Sequence, residues 1–279
     1  MKELKNKLAA FSNTTLGSAL AIAFFFVMFI LLQIPSSFVL GGAINSVTPE
    51  GIKKFVIAYA LCSVLTIYLF ARFRWAPVSR EYIRTKPWAV MVWIVFLGIG
   101  SIVPSMVLQE MFEFDMPEQL GKLMTDMMRT PLGYAAIGIL APVAEEMVFR
   151  GAILRKLLSM VGEKWHWAAI LFSAVLFGVA HGNIAQFVHA FLMGILLGWM
   201  YYRSRSVVPG IALHWVNNSI AYIMVNMLPE GMEDITFKQL AGGSTTHMVL
   251  YLVFSLCVFV PALLQVIGSL KRKPNDLNV

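Results

Sequence analysis

Charge is what this chain has least of. Of its 279 residues, 13% are charged and 58% are hydrophobic, and the mean hydropathy is +0.73. A soluble domain carries about 25% charged residues, so with half that share most of the chain cannot face water. Long polar stretches are missing as well. None outside the apolar blocks exceeds roughly twenty residues, where an independent soluble domain needs at least about 50. Cysteine is nearly absent: Cys62 and Cys257 each lie inside an apolar block, which argues against a disulfide framework or a cysteine metal site. The net charge of +7 does not point to nucleic acid, because the basic residues fall between apolar blocks and do not share one face. The N-terminal apolar run is too long for a signal-peptide core and has no small-residue cleavage site, so it is read as a retained first span. No internal repeat or low-complexity segment is visible.

What the chain does have is a succession of apolar blocks. A span needs about 20 mainly apolar residues, and eight blocks qualify: 14–35, 54–71, 88–108, 131–149, 166–182, 184–201, 207–228 and 247–270. Only His181-Gly182-Asn183 separates the fifth from the sixth, which marks a tight turn or a helix break. The expected architecture is an all-α, polytopic bundle of about eight transmembrane helices, with 1–279 forming one integral membrane domain. Basic loops mark the cytoplasmic side. Seventeen Lys and Arg fall in the segments 2–7, 72–86, 150–164, 203–205 and 271–273, against five on the other side (Lys53, Lys54, Lys122, Arg129 and Lys238). Loops on that other side are acidic, with Glu110, Glu113, Asp115, Glu118 and Asp126 in one and Glu230, Glu233 and Asp234 in another. Both termini are therefore expected in the cytoplasm, and the protein in a prokaryotic plasma membrane. Segment 111–130 is too polar to span; Met116, Leu120, Leu123, Met124 and Met127 recur at helical spacing, so it reads as an amphipathic connecting helix at the outer interface.

A charged side chain at the centre of a bilayer costs roughly 2.5–3.5 kcal/mol on insertion scales, so each one needs a reason. Spans one, two, three and eight have no Asp, Glu, Lys or Arg in their interiors, whereas span four ends in Glu145, Glu146 and Arg150 and spans five to seven bring His181, His189 and His214. Spacing sorts these residues. Glu146 and Arg150 are four apart and share a helix face, so they can pair. Glu145 lies about 100° further round and is left for another partner. Pro142 weakens the helix just before them and can open its backbone to a cavity. His214 and Asn218 lie one turn apart and face one space, and the same interval lets Phe177 buttress His181. His189 is read as a hydrogen bond to a neighbouring helix. In a low-dielectric cavity, a carboxylate and an imidazole can position and deprotonate a water, while a His and an Asn can donate to the oxyanion of a tetrahedral intermediate. These are the parts of a peptide-bond hydrolase that needs no serine.

Glu145-Glu146-x-x-x-Arg150, Phe177-x-x-x-His181 and His214-x-x-x-Asn218, in that order on successive apolar helices, resemble the three motifs of the CPBP family. That family holds CAAX prenyl proteases of the Rce1 type and bacteriocin-processing or self-immunity (Abi) proteins. The motif core lies within 131–228. The resemblance implies an eight-helix intramembrane endopeptidase whose cavity opens to the membrane and the cytoplasm. It also implies that Glu145 and His181 activate water, that His214 and Asn218 stabilise the oxyanion, and that Glu146 and Arg150 shape the site. The implied partners are the lipid bilayer and a peptide or membrane-anchored protein substrate, either a CAAX-type prenyl protein or a bacteriocin or leader peptide.

The family is often termed metalloprotease, and zinc takes such ligands readily; a metal site would draw on Glu145, His181 and His214. HExxH is absent, however, and a His–Asn pair suits an oxyanion hole better than a closed coordination shell, so no cofactor is the favoured reading. Other classes compete. Buried Glu and His also suit a proton-coupled transporter, yet transporters often repeat their broken helices in both halves, and here the polar residues lie in one half only. A non-proteolytic immunity or partner-binding membrane protein is the third class, against which the intact motif set speaks.

Overall fold

In lipid, every backbone N–H and C=O must be satisfied within the segment or by neighbouring protein, which leaves helices as the natural solution for a chain this apolar. The computed structural model describes residues 14–45, 48–77, 79–112, 117–227 and 236–270, and among them there is no strand. The terminal Lys2, Lys5, Lys7, Lys271, Arg272 and Lys273, together with Glu113, Asp115, Met116, Leu228, Glu230, Glu233 and Asp234, lie outside the described residues.

The helices are α1 (Thr15–Asn45), α2 (Pro49–Arg72), the short α3 (Arg80–Arg84), α4 (Trp88–Phe112), α5 (Glu118–Met128), α6 (Pro131–Val161), α7 (His166–Val179), α8 (Ile184–Ser204), α9 (Val208–Met227), the short α10 (Phe237–Leu240) and α11 (Thr245–Ser269). Polar caps start several of them. Thr48 and Thr130 accept from Gly51 N and Gly133 N ahead of α2 and α6, each with proline in the first turn, and Asn183 Oδ1 accepts from Gln186 N to open α8.

Six of these helices are long and apolar enough to cross a membrane: α1, α2, α4, α6, α8 and α11. The expected fifth and seventh spans fall short of that standard, so the count of eight is not reached on length and hydropathy. The fifth, α7, has 14 residues, about 21 Å at 1.5 Å per residue, against a hydrocarbon core of about 30 Å. The seventh, α9, has 20 residues but spends His214, Asn217, Asn218 and Asn226 on polar positions. Both deficient helices carry motif residues, Phe177 on α7 and His214 and Asn218 on α9, while the first motif lies on the full-length α6.

Small residues set the closest approaches. A Cβ on Gly194 would lie 3.0 Å from Ala174 Cβ, and one on Gly198 3.0 Å from Ile170 Cγ2. This small-xxx-small face lets α7 and α8 dock backbone to backbone as an antiparallel pair. The main core lies at the end of the bundle that holds the basic loops. Phe70, Ile94, Leu97, Ile153, Leu154, Ile170, Leu197, Met200 and Leu213 are all fully buried there. A smaller cluster at the opposite end joins Ile52, Phe55 and Val56 of α2 to Leu123 and Met127 of α5 and to Ala136. The amphipathic connecting helix expected over 111–130 is thus α5, held by one apolar stripe.

One element of the charge count changes. Arg150 is fully buried inside α6 and belongs to no loop, which leaves sixteen basic residues against five. The asymmetry survives its removal.

Candidate active site

The site is built around an irregular stretch of α6. Residues Tyr134–Leu140 form a π-helical turn, and the Ala141 N–H bonds five residues back to Ala136 O. By the same step Pro142 would donate to Ile137 O, but proline has no N–H. That carbonyl instead accepts from Asn218 Nδ2 at 3.0 Å. Pro142 opens the backbone, as its position suggested, and the asparagine of the third motif closes it from α9. A second π-helical segment, Met147–Leu154, follows the glutamates; such bulges re-aim side chains and recur at functional sites.

Glu146 and Arg150 form the anchor. Arg150 Nη1 donates to Glu146 Oε1 at 2.7 Å, and both side chains are completely buried. Arg150 Nη2 donates to Gly194 O at 3.3 Å on α8, and the guanidinium sits over the Phe177 ring at 4.3 Å from its centroid. One arginine therefore ties α6, α7 and α8 together. Glu146 Oε2 occupies a notch on α9 that exists only because residue 210 is glycine: a Cβ there would come 2.4 Å from that oxygen.

His214 lies between the two glutamates. Its Nε2 is 3.8 Å from Glu145 Oε2 and its Nδ1 is 3.6 Å from Glu146 Oε1. The His214 side chain is 8% exposed and that of Glu145 12%, so the pair is shielded yet reachable. Tyr59 of α2 lines the same cavity beside the Glu145 carboxylate. Glu145, left free by helix geometry, thus finds neighbours on α2 and α9.

His181 follows α7 in the turn before α8. Its Nδ1 is 2.9 Å from Phe177 O; a carbonyl only accepts, so Nδ1 carries the hydrogen, and in the neutral ring the lone pair is on Nε2. The Phe177 ring meets His181 edge-on at 5.0 Å between centroids and His214 at 5.8 Å, so one aromatic ring contacts both imidazoles.

Glu145, His181, His214 and Asn218 line one cavity of about 720 Å³, within the range of small-molecule and cofactor sites. Contacts run in a chain from Arg150 through Glu146 and His214 to Glu145; His181 and Asn218 share the cavity with Glu145 and His214. Two lining residues that touch the motif residues, Tyr59 and Asn217, were not singled out from sequence. Asn217 belongs to a polar chain: its Nδ2 lies 3.2 Å from Asn218 Oδ1 and 3.4 Å from His189 Nε2, and His189 Nδ1 is 2.7 Å from Ser105 Oγ on α4. The interhelical hydrogen bond expected of His189 is present. The one available signal for Asn217 was its adjacency to Asn218. His166 and His247 lie away from the cavity, one stacked on Tyr202 and the other at the start of α11.

Among the described residues no three His, Cys, Asp or Glu side chains gather closely enough to hold a metal ion. The set Glu145, His181 and His214 therefore does not fit a zinc site in this geometry.

Comparison with known proteins agrees with the motifs. Residues 128–220 match the family model described as type II CAAX prenyl endopeptidase Rce1-like. The chain is 24% identical over 154 residues to "Membrane-embedded CAAX protease MroQ" of Staphylococcus aureus (strain USA300), covering 54% of this chain and 62% of that protein. It is 23% identical over 211 residues to "Putative membrane peptidase YdiL" of Bacillus subtilis (strain 168), covering 70% of this chain and 82% of that one. The match to the first relative thus spans less than two thirds of its length. No solved structure matches significantly. On the three motifs, the cavity that gathers them and these matches, residues 128–220 are similar to the Rce1-like membrane proteases.

Proposed function

We propose that this cavity is the active centre of an endopeptidase that hydrolyses a peptide bond of a membrane-held peptide with water as the nucleophile. The observation that carries the reading is the contact of two mostly buried groups, Glu145 and His214, 3.8 Å apart on the wall of a cavity large enough for a peptide segment. Glu145 is the general base. It takes a proton from a water also held by the Nε2 lone pair of His181, and the water oxygen attacks the scissile carbonyl. The oxyanion develops beside His214 Nε2 and the second amide hydrogen of Asn218, the first being bound to Ile137 O. The proton then passes from Glu145 to the departing amine as the C–N bond breaks. Prealigned donors of this kind are worth about 10²–10³ in turnover each.

In this reading the hydrolysis is glutamate-dependent and needs no metal, and Glu146 and Arg150 hold the site without entering the chemistry. Two substrate classes are compatible with the relatives: a CAAX-type protein, after the printed name of the staphylococcal protease, and a leader or bacteriocin-type peptide. The protein sits in the plasma membrane with both termini in the cytoplasm.

The test is peptide cleavage by purified, detergent-solubilised protein, wild type beside Glu145→Gln, each with and without a strong chelator. Loss of cleavage in the variant alone, with the variant still folded, is the expected result. Full activity of Glu145→Gln rules out the proposed base. Loss on chelation with recovery on adding zinc replaces the metal-free mechanism by a metal-dependent one.

A further inference from the structure

Asn217 and Asn218 are neighbours on α9. Adjacent side chains of a helix point about 100° apart and do not ordinarily face one another. Here their amides nonetheless meet, with Asn217 Nδ2 3.2 Å from Asn218 Oδ1, so each is held from outside α9. At one end the holder is the carbonyl of Ile137 on α6, 3.0 Å from Asn218 Nδ2. At the other it is His189 on α8, whose Nε2 is 3.4 Å from Asn217 Nδ2 and whose Nδ1 is 2.7 Å from Ser105 Oγ on α4. The chain of contacts crosses four helices, and His189, Asn217 and Asn218 all line the cavity.

The direction of each hydrogen bond follows from the one fixed end. A backbone carbonyl only accepts, so Asn218 turns its nitrogen to Ile137 O and its oxygen away. That oxygen only accepts in turn, so Asn217 turns its nitrogen to it. The same nitrogen faces His189 Nε2, which therefore presents a lone pair; the ring hydrogen sits on Nδ1 and is donated to Ser105 Oγ. Both hydrogens of the Asn217 amide are then spent, one on Asn218 and one on His189. The second N–H of Asn218 is left over, and it is the group assigned to the oxyanion above.

The far end of the chain is itself anchored. Ser105 follows Pro104 inside α4. Proline leaves the carbonyl four residues back without its helical N–H, and that carbonyl, Gly100 O, accepts from Ser255 Oγ of α11 at 2.8 Å. An amide held at one atom can swing about that contact. Held at both its oxygen and its nitrogen, it has the direction of its remaining N–H set in advance, and a donor aimed before charge develops costs no reorganisation in the transition state.

We propose that His189 is a positioning residue for the oxyanion donor: through Asn217 it fixes the Asn218 amide so that its free N–H faces the reacting carbonyl. The effect on turnover rests on the endopeptidase reading; the hydrogen-bond chain does not.

The experiment measures kcat and KM of the full chain in detergent on a cleavable reporter peptide. His189→Leu keeps much of the bulk and removes the hydrogen bonds. It is expected to lower kcat by about 10–100-fold, the scale on which loss of an orienting partner acts, with KM unchanged. His189→Gln, whose oxygen can accept from Asn217 while its nitrogen donates to Ser105, is expected to recover most of that loss. In an Asn218→Ala background, His189→Leu is expected to lower kcat no further, because the donor it positions is gone. Wild-type kcat in His189→Leu, or an equal fold-loss in both backgrounds, overturns the proposal and leaves His189 as a tie between helices. So does His189→Gln as slow as His189→Leu.

A second arm needs no turnover. In protein carrying nitrogen-15 in its histidines and asparagines, the His189 ring is identified by its loss in His189→Leu and is expected to be neutral with its hydrogen on Nδ1. The Asn218 side-chain amide, identified by its loss in Asn218→Ala, is expected to shift in His189→Leu. A hydrogen on His189 Nε2, or an Asn218 amide that does not move, overturns the chain. Full activity of Glu145→Gln would refute the proposed base and leave both resonances as they are, so the two failures are told apart.

Discussion

Replacing Arg150 by Met tests the packing argument most directly. The guanidinium is completely buried, 2.7 Å from an equally buried Glu146, and the described contacts offer Glu146 Oε2 no hydrogen-bond partner. Methionine fills a similar length but leaves that carboxylate uncompensated in a dry core. Breaking a buried pair from one side costs about 3–5 kcal/mol, more than a hundredfold in the folding equilibrium at about 1.4 kcal/mol per decade. Removing both charges behaves differently: Glu146→Leu with Arg150→Met eliminates the stranded ion, and such exchanges are neutral to stabilising by about 1–4 kcal/mol. Thermal and denaturant unfolding in detergent, read as a double-mutant cycle, should show a large loss for Arg150→Met and its recovery in the double variant. A single variant within about 1 kcal/mol of wild type refutes the buried-pair account. So does a double variant as unstable as the single. Turnover of the stable double variant then separates scaffold from chemistry, because His214 Nδ1 lies 3.6 Å from Glu146 Oε1.

Other expectations follow from the same geometry. Asn218→Ala should lower turnover by roughly 10²–10³ and, by stranding Ile137 O, cost about 1–3 kcal/mol of stability; activity measured well below the melting temperature divides the two, and near-normal turnover leaves Asn218 a purely structural cap. Gly210→Ala puts a methyl 2.4 Å from Glu146 Oε2, so overpacking of about 1–3 kcal/mol and a fall in turnover are expected, and an unchanged melting midpoint would show that the notch is not tight. Tyr59→Phe removes the hydroxyl beside Glu145 while keeping the ring, and is expected to shift the pH profile of cleavage; a superimposable profile would show that this hydroxyl does not influence the base.

Much of the bundle was legible because the signals are local. The apolar blocks, the turn at His181–Asn183 and the i,i+4 pairing of Glu146 with Arg150 follow from composition and helical period alone. The amphipathic stripe of α5 was readable for the same reason, its buried Leu123 and Met127 being one turn apart. The shortness of α7 was not, since a 17-residue apolar run does not announce that its last three residues leave the helix. Nor did counting basic residues reveal that Arg150 belongs to the core, because burial of a charge depends on partners elsewhere in the chain.

The sequence by itself determined that this protein lives in a bilayer as helices, that its charged and histidine residues within the spans are confined to four of them, and that those residues resemble the motifs of a membrane-protease family. Each conclusion depends on composition or on spacings within one helix. The tertiary structure decided what touches what. It placed His214 between two glutamates, turned Asn218 toward the carbonyl that Pro142 cannot serve, and set Phe177 against two imidazoles. These features depend on the register of one helix against another, with contacts between residues as far apart in sequence as Ile137 and Asn218. That register is set by small residues, caps and close packing summed over the whole bundle, which no spacing within a single helix encodes.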